Sequence, residues 1–366
     1  MDSPDNSRFI KACLNQPVDR TPVWFMRQAG RSLPEYRLAR GTLSILETVK
    51  NPELAAELTL QPVKRYDVDA AVLFSDIMVP LKAIGLELDI LPNVGPVIEK
   101  PFAKVSDLDR IRKYEPEEDA PYVQETIALL KKDCRVPIIG FAGAPFTIAS
   151  YLVEGKPSRN FIKTKTLMHT LPEFWSPLMD KLSDLIIASL SAQITAGVHA
   201  IQLFDSWAGS LSRYDYQEYV WPFSKKIFDA LTKNFGTSLP KIHFGVGTSA
   251  ILDLMASTGP DVLSVDWRIP LDKVSPLLSE NQAIQGNLDP AICLTSFDTV
   301  AREAGRILRD AKRRSAPHEK SVSPSFHRGH IFNLGHGVLP ETDPDTLTRL
   351  VDFVRNYDST SDDVQP

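Results

Sequence analysis

The sequence predicts an α/β protein built as a single (β/α)8 TIM barrel with a β-hairpin excursion after strand 2. Three observations lead there. Eight short apolar runs, rich in β-branched and aromatic residues, recur along the whole chain. The segments between them have helical pattern and crossover length. The first run is not followed by the GxGxxG turn that an open, doubly wound sheet places after its first strand. Right-handed βαβ units that curl until no edge remains are then the simplest architecture.

The runs, in order, are Thr21 to Met26, Ala70 to Ser75, Pro137 to Gly143, Ala200 to Asp205, Lys241 to Gly247, Val262 to Asp266, Ala283 to Gly286 and His330 to Leu334. Asn51 followed by Pro52 reads as an N-cap with proline at the first helical position, and Leu54 and Leu58 repeat on one face of the helix leading to the second run. The amphipathic stretch Pro172 to Ala196 stops at Gly197, as a helix C-terminus should. Leu86 to Phe102 alternates on both sides of Asn93, Gly95 and Pro96, the pattern of a hairpin between barrel strands 2 and 3. Lys312 to Gly329 is basic, rich in serine and proline and without period, so a mobile surface loop is expected before the last strand. The barrel is expected to span residues 8–357, with disordered tails over 1–7 and 358–366.

With 43% hydrophobic and 24% charged residues in 366, the chain has the balance of a soluble globular protein with a substantial core. Its 41 basic and 46 acidic residues leave a net charge of -5, which gives no general attraction to nucleic acid or anionic lipid. The first residues lack a secretory leader pattern, and no stretch approaches the roughly 18 apolar residues of a membrane span, so a cytoplasmic protein is expected. Cys13, Cys134 and Cys293 are odd in number and widely separated, without a CxxC or a histidine spaced to complete a zinc site. Reduced, buried small hydrophobes are expected, and no metal.

Arg27, Arg31, Arg37 and Arg40 follow directly on the first run. So local a concentration of fixed positive charge in an acidic chain argues for a small polyanion as ligand. A barrel of this kind carries its active site at the C-terminal ends of the strands. The residues closing each run are therefore pocket candidates: Arg27 and Arg31 after strand 1, Asp76 after strand 2, Tyr151 beyond strand 3, Ser206 after strand 4 and His336 after strand 8. Each also has a bland reading. The arginines could pair with Glu35 or Glu47, Asp76 and Ser206 could cap helices, Tyr151 could be a core aromatic, and His336 is a lone histidine between two glycines. The Ala29-Gly30 step tips the arginines toward function, because residues without bulk let the backbone approach a ligand. GxSxG, Walker and HExxH motifs are absent, so side chains alone must act. Gly245, Gly247 and Thr248 could cradle a phosphate or simply form a tight turn.

Three longer motifs are more specific. WFMRQAGRSLPEYR at 24–37, GFAGAPFTIASYLVEG at 140–155 and FNLGHGVLPETDP at 332–344 closely resemble motifs of the uroporphyrinogen decarboxylase family, with FSDI, LFDSWAG, VDWR and QGNLDP in the expected order between them. The resemblance runs from about Arg8 to Tyr357. It implies a (β/α)8 barrel, a homodimer, no metal or cofactor, and stepwise loss of four acetate carboxyls from uroporphyrinogen III to give coproporphyrinogen III in haem and chlorophyll biosynthesis. Carried over residue by residue, Arg27, Ala29 by its backbone, Arg31 and Arg40 match substrate-contacting positions. Asp76 matches the aspartate facing the pyrrole nitrogens, and Tyr151, Ser206 and His336 match further contacts. The chain departs from the pattern at 312–329, which is longer than the family needs, and at Trp207, where other side chains also occur.

The chemistry implied suits these residues. A protonated pyrrole is its own electron sink, so decarboxylation needs no borrowed cofactor. A fixed carboxylate near the developing positive charge favours the transition state over the neutral ground state, the role expected of Asp76. Guanidinium groups grip carboxylate arms through paired hydrogen bonds, the role expected of Arg27 and Arg31. An ordinary guanidinium is a very poor acid, so Tyr151 and His336 stand beside Arg27 as alternatives for proton delivery. Two rival readings share the outline: a corrinoid-dependent methyltransferase, which needs a His-x-Cys pair and a later cysteine, and a noncatalytic tetrapyrrole carrier.

Overall fold

The computed structural model describes residues 4–30, 32–92, 94–314 and 327–357. Its strands are β1 (Pro17–Val18), β2 (Ala71–Val72), β3 (Leu88–Leu91), β4 (Gly95–Ile98), β5 (Ile138–Gly143), β6 (Ala200–Asp205), β7 (Lys241–Gly245), β8 (Val262–Ser264), β9 (Ala283–Leu288), β10 (His327–Arg328) and β11 (His330–Leu334). Seven of them form one parallel sheet in the order β11-β9-β8-β7-β6-β5-β2, with helices between successive strands.

The sheet is curled, and the side chains inside it show why. Trp24 Nε1 donates to Gln285 Oε1 at 2.9 Å, while Gln285 Nε2 donates to Gln202 Oε1 at 3.0 Å and to Ser264 Oγ at 2.9 Å, all buried. In a flat sheet β6 and β9 would lie three strand spacings apart, roughly 14 Å. Only strong curvature lets Gln202 and Gln285 meet.

The run Thr21 to Met26, expected as strand 1, makes a single parallel bridge, Val23 to Phe332. Phe332 N donates to Pro22 O at 2.8 Å and Trp24 N to Phe332 O at 3.3 Å, while Asp69 N donates to Val23 O at 2.8 Å. The segment thus lies between β11 and the approach to β2. It stays short because Pro22 has no N–H to offer and the chain turns sharply at Arg27. The second run is also shorter than expected, since Phe74 N leaves the sheet to reach Thr59 Oγ1 at 2.9 Å.

The expected helix signals operate. Asn51 Oδ1 accepts from Leu54 N at 3.1 Å at the head of the helix Pro52–Tyr66, and Gly197 closes the helix Pro172–Ala196 with a left-handed φ of 112°. Strands β3 and β4 pair antiparallel from Leu88↔Ile98 to Leu91↔Gly95, and Ile98 N donates to Gly155 O at 2.7 Å. Gly95 and Pro96 open the second of these strands instead of forming the turn, and Asn93 lies outside the described residues.

Where the sequence leads us to expect a tail, Pro4–Asn6 form a short helical turn and Ser7 Oγ caps the helix Arg8–Cys13. Of the stretch 312–329, expected as a loop, the first three residues belong to the helix Phe297–Arg314. At its other end β10 pairs antiparallel with β1. Residues 315–326 and 358–366 lie outside the described residues. No helix among the described residues is long and apolar enough to cross a membrane.

Replacing Gln285 by leucine should leave Trp24 Nε1 and Gln202 Oε1 buried without partners and destabilise the fold by roughly 1–3 kcal/mol for each orphaned group. Urea unfolding measures this; a loss within error would mean that the inner polar layer does not hold the curvature.

Candidate active site

The site is organised by a sharp turn after Met26. Arg27 takes a left-handed φ of 59°, which costs a residue with a side chain about 1–2 kcal/mol. Buried Gln28 holds that turn: its Oε1 accepts from Phe25 N at 3.0 Å and its Nε2 donates to Ala70 O at 3.0 Å, tying the end of the first run to the start of β2. Two glycines make room. A Cβ on Gly30 would lie 2.7 Å from the Arg27 carbonyl oxygen, and one on Gly337 would lie 2.5 Å from Arg27 Cδ. Gly30 is therefore required by the turn itself.

The Arg27 side chain consequently lies across the last loop of the sheet, exposed, and no carboxylate among the described residues pairs with it. The carboxylates nearest in sequence are engaged elsewhere: Glu35 pairs with Arg65 at 3.3 Å, and Glu47 forms a capping box with Ser44. Three expected site residues feel the Arg27 charge. Burial raises the Asp76 carboxyl above the usual range, while a hydrogen bond from Met78 N to Oδ1 at 2.8 Å and the Arg27 guanidinium hold it down. Asp76 thus caps the next helical turn with one oxygen, and Oδ2 has no hydrogen-bond partner among the described residues. Burial pushes Tyr151 up to about 12, with Asp76 adding to the rise and Arg27 opposing it. Burial pushes His336 down to about 4, reinforced by Arg27. His336 Nδ1 accepts from Gly337 N at 2.7 Å, so the neutral ring carries its proton on Nε2 and can donate it in a hydrogen bond.

Of the other expected residues, Ser206 is half-buried in the turn after β6, and Ala29 is half-buried in the Arg27 turn. Arg40 ends the helix Pro34–Arg40, where Nη1 donates to the Tyr36 hydroxyl at 3.2 Å; Tyr36 in turn packs against Phe74, two residues before Asp76. Arg31 lies outside the described residues. The GVGTS segment is a tight turn: Gly247 N donates to Asp266 Oδ2 at 2.6 Å and is already engaged. Among the described residues no three His, Cys, Asp or Glu side chains group as metal ligands. The thiols of Cys13 and Cys293 are buried, and burial raises both, Cys293 to about 12.

Several contributors have no signal of their own in the sequence. Gln28 reads as one more polar residue in a loop. Phe204 contacts Phe141 and Phe244 with ring centroids 5.4 and 5.6 Å apart, and Phe244 reaches His336 at 6.3 Å, an apolar wall across β5, β6, β7 and the last loop. Trp207 packs with tilted rings against Tyr151 and Phe161, centroids 3.9 and 4.8 Å away. Only the period-2 alternation of the strands could have pointed to the wall, by placing Phe204 on the same face as Gln202. These groups gather at one end of the sheet one fixed positive charge, one carboxylate, two neutral donors and an aromatic side.

A family model described as Uroporphyrinogen decarboxylase (URO-D) matches residues 4–357. A protein named uroporphyrinogen decarboxylase from Streptomyces coelicolor is 52% identical over 350 residues, covering 95% of this chain and 94% of its own. Another of that name, from Thermobifida fusca, is 50% identical over 350 residues, covering 95% and 92%. Among solved structures, a methyltransferase from Methanosarcina mazei superposes with a TM-score of 0.75 over 96% of this chain and 98% of its own, at 20% identity, a likeness of fold alone.

Gly337→Ala should displace the Arg27 side chain and lower catalytic efficiency by about tenfold or more, because small misplacements of a positioning group are costly. The melting temperature should change little, since Gly337 has no left-handed φ to lose. Unaltered kinetics would show that Arg27 acts from another position. His336 stays neutral to about pH 4 in the folded chain but takes a proton near 6.5 when unfolded. The folded state therefore binds fewer protons between those values, and stability falls as pH drops through them. His336→Gln should remove up to about 3 kcal/mol of that loss, read by urea unfolding at pH 7 and pH 4.5.

Proposed function

The chain belongs to the uroporphyrinogen decarboxylase family and is a carboxy-lyase; we propose that it removes the four acetate carboxyls of uroporphyrinogen III stepwise, without a cofactor, to give coproporphyrinogen III. The observation that carries this reading is a single guanidinium, Arg27, whose field reaches Asp76, Tyr151 and His336 at one end of the sheet.

Each turnover begins with a proton added to the pyrrole carbon beside the acetate-bearing carbon, which makes the ring an iminium-like cation. The C–C bond to the carboxylate then breaks, CO2 leaves, and its electron pair returns to the ring. A second proton, taken up at the exocyclic carbon, completes the methyl group as the ring proton is lost. Asp76, desolvated and with one oxygen unengaged, accepts from the pyrrole N–H groups and stabilises the cation. Arg27 holds a carboxylate arm, as does Arg31. Ala29 by its backbone, Arg40 and Ser206 complete the substrate contacts. His336 donates from Nε2 to the macrocycle or its side chains; above about pH 4 it has no imidazolium proton to give. Tyr151 keeps its O–H to about pH 12, burial and the Asp76 charge both making it a weaker acid, so the pKa of this group does not single it out over His336 or Arg27 for proton delivery.

The same reading takes the Thr21–Met26 segment as the stave that closes β11 onto β2, giving a single (β/α)8 barrel over residues 8–357 with the β3–β4 hairpin as an excursion. A cytoplasmic homodimer, with neither nucleic acid nor membrane as partner, completes it.

Asp76→Asn should lower kcat by roughly a hundredfold or more, the usual effect of removing one such electrostatic group. An anaerobic assay of CO2 release from uroporphyrinogen, with intermediates resolved, measures it. Wild-type turnover in that variant removes Asp76 from the mechanism, and no CO2 release from the native protein leaves the noncatalytic carrier as the reading.

A further inference from the structure

Strand β6 ends with Phe204 on the inner, aromatic face and Asp205 on the opposite face, among the helices. Asp205 is fully buried, and its Oδ1 accepts from the Thr147 hydroxyl at 3.0 Å. Thr147 sits in the first turn of the helix Pro145–Glu154, and its Oγ1 also accepts from Trp207 N at 3.3 Å. One helical turn further on, the same helix carries Tyr151, whose ring lies 3.9 Å from that of Trp207. The helix start is fixed to the same strand by Ala144 N donating to Phe204 O at 2.8 Å. A closed loop of contacts thus runs from Asp205 through Thr147 to Trp207, on to Tyr151, and back along the helix.

We propose that Asp205 and Thr147 are positioning residues that set, from behind the sheet, the turn bearing Ser206 and Trp207 and its contact with Tyr151. The proposal rests on the function above in taking Ser206 and Tyr151 as lining the reacting pocket.

The direction of the Thr147 hydroxyl is what makes the link. A threonine in a helix ordinarily donates its hydroxyl to the carbonyl three or four residues back. Here the proton is drawn to Asp205, which leaves an oxygen lone pair for Trp207 N. Without an acceptor at 205 the side chain is free to turn about χ1, which carries Oγ1 away from the Trp207 amide. The other elements packed on Asp205 offer no substitute. On β7, His243 Nε2 lies 3.9 Å from Asp205 Oδ2, too far for a hydrogen bond, and both atoms are buried without partners. Burial drives both groups toward their neutral forms, Asp205 up to about 7 and His243 down to about 3, so they do not form an ion pair. Tyr216 and Ser224, buried on the two helices that follow β6, are neutral as well; burial and the Asp205 charge raise Tyr216 well above its ordinary value. Asparagine at 205 would keep the oxygen facing Thr147 and mimic the protonated acid.

Thr147→Val and Asp205→Leu should each lower kcat/KM about tenfold, whereas Thr147→Ser and Asp205→Asn should stay within about twofold of the native protein. In a Trp207→Ala background, which removes the ring against Tyr151 but keeps the 207 amide and Ser206, the further cost of Thr147→Val should fall to about threefold or less, because only the Ser206 turn is left to displace. A merely destabilising substitution would cost the same in both backgrounds, and that result overturns the proposal. Near-ultraviolet circular dichroism gives a reading independent of turnover: Thr147→Val should lose the same aromatic band as Trp207→Ala, and Thr147→Ser should retain it. A native band in Thr147→Val also overturns the proposal. A native protein that releases no CO2 defeats the functional reading instead, and the dichroism still decides this one.

Discussion

The left-handed turn at Arg27 is the constraint from which the rest of the site follows. It places a guanidinium across the open end of a curled sheet, and it exists only because three other positions comply. Gln28 satisfies the backbone groups that the turn would leave buried, Gly30 clears the Arg27 carbonyl, and Gly337, more than three hundred residues away in sequence, clears the side chain. The first and last motifs of the chain are therefore one structural unit. Their meeting depends on the Val23–Phe332 bridge, which brings the Thr21–Met26 segment against β11.

Once that charge is fixed, burial determines what its neighbours can be. Desolvation disfavours the charged form of every titratable group, so His336 is neutral, Tyr151 keeps its proton, and the Asp76 carboxylate is held against its own desolvation by the Met78 amide and Arg27. In the proposed reaction the Asp76 carboxylate interacts weakly with a neutral ring and strongly with the same ring once it is cationic. That difference, and not the strength of binding itself, is what lowers a barrier.

How much of this is legible in the sequence varies with the physical signal. Strands β6 and β11 match the expected runs to the residue, since each is a short apolar run bounded by a helix C-cap or a polar turn. The Asn51 and Gly197 caps are local chemistry and are readable for that reason. The Thr21–Met26 segment looks like a full strand because its composition is apolar, but Pro22 and the Arg27 turn reduce it to a single bridge, which composition does not show. Asp76, Tyr151, Ser206 and His336 can be named as candidates from their positions after apolar runs. That Asp76, Tyr151 and His336 all feel the Arg27 charge is a product of curvature, set by Gln202, Ser264, Gln285 and Trp24 inside the sheet, and no local pattern announces a glutamine as such a structural element. The engagement of Gly247 by Asp266 is hidden for the same reason, because both partners are needed to see it.

The two faces of β6 suggest why one strand of the curled sheet can serve stability and chemistry at once. Side chains alternate along a strand, so consecutive residues at its end cannot both point into the site. Phe204 faces the wall and Ser206 emerges into the turn beyond, which leaves Asp205 to the helix side. There an apolar residue would be the default, packed like Ile201 and Leu203 on the same face. A buried carboxyl in that place has a desolvation cost that no local packing offsets. It is intelligible only if its hydrogen bond to Thr147 governs something beyond itself, and the one structure Thr147 touches in turn is the loop at the rim of the site. A polar group that the core would otherwise reject thus marks where the scaffold and the site are joined.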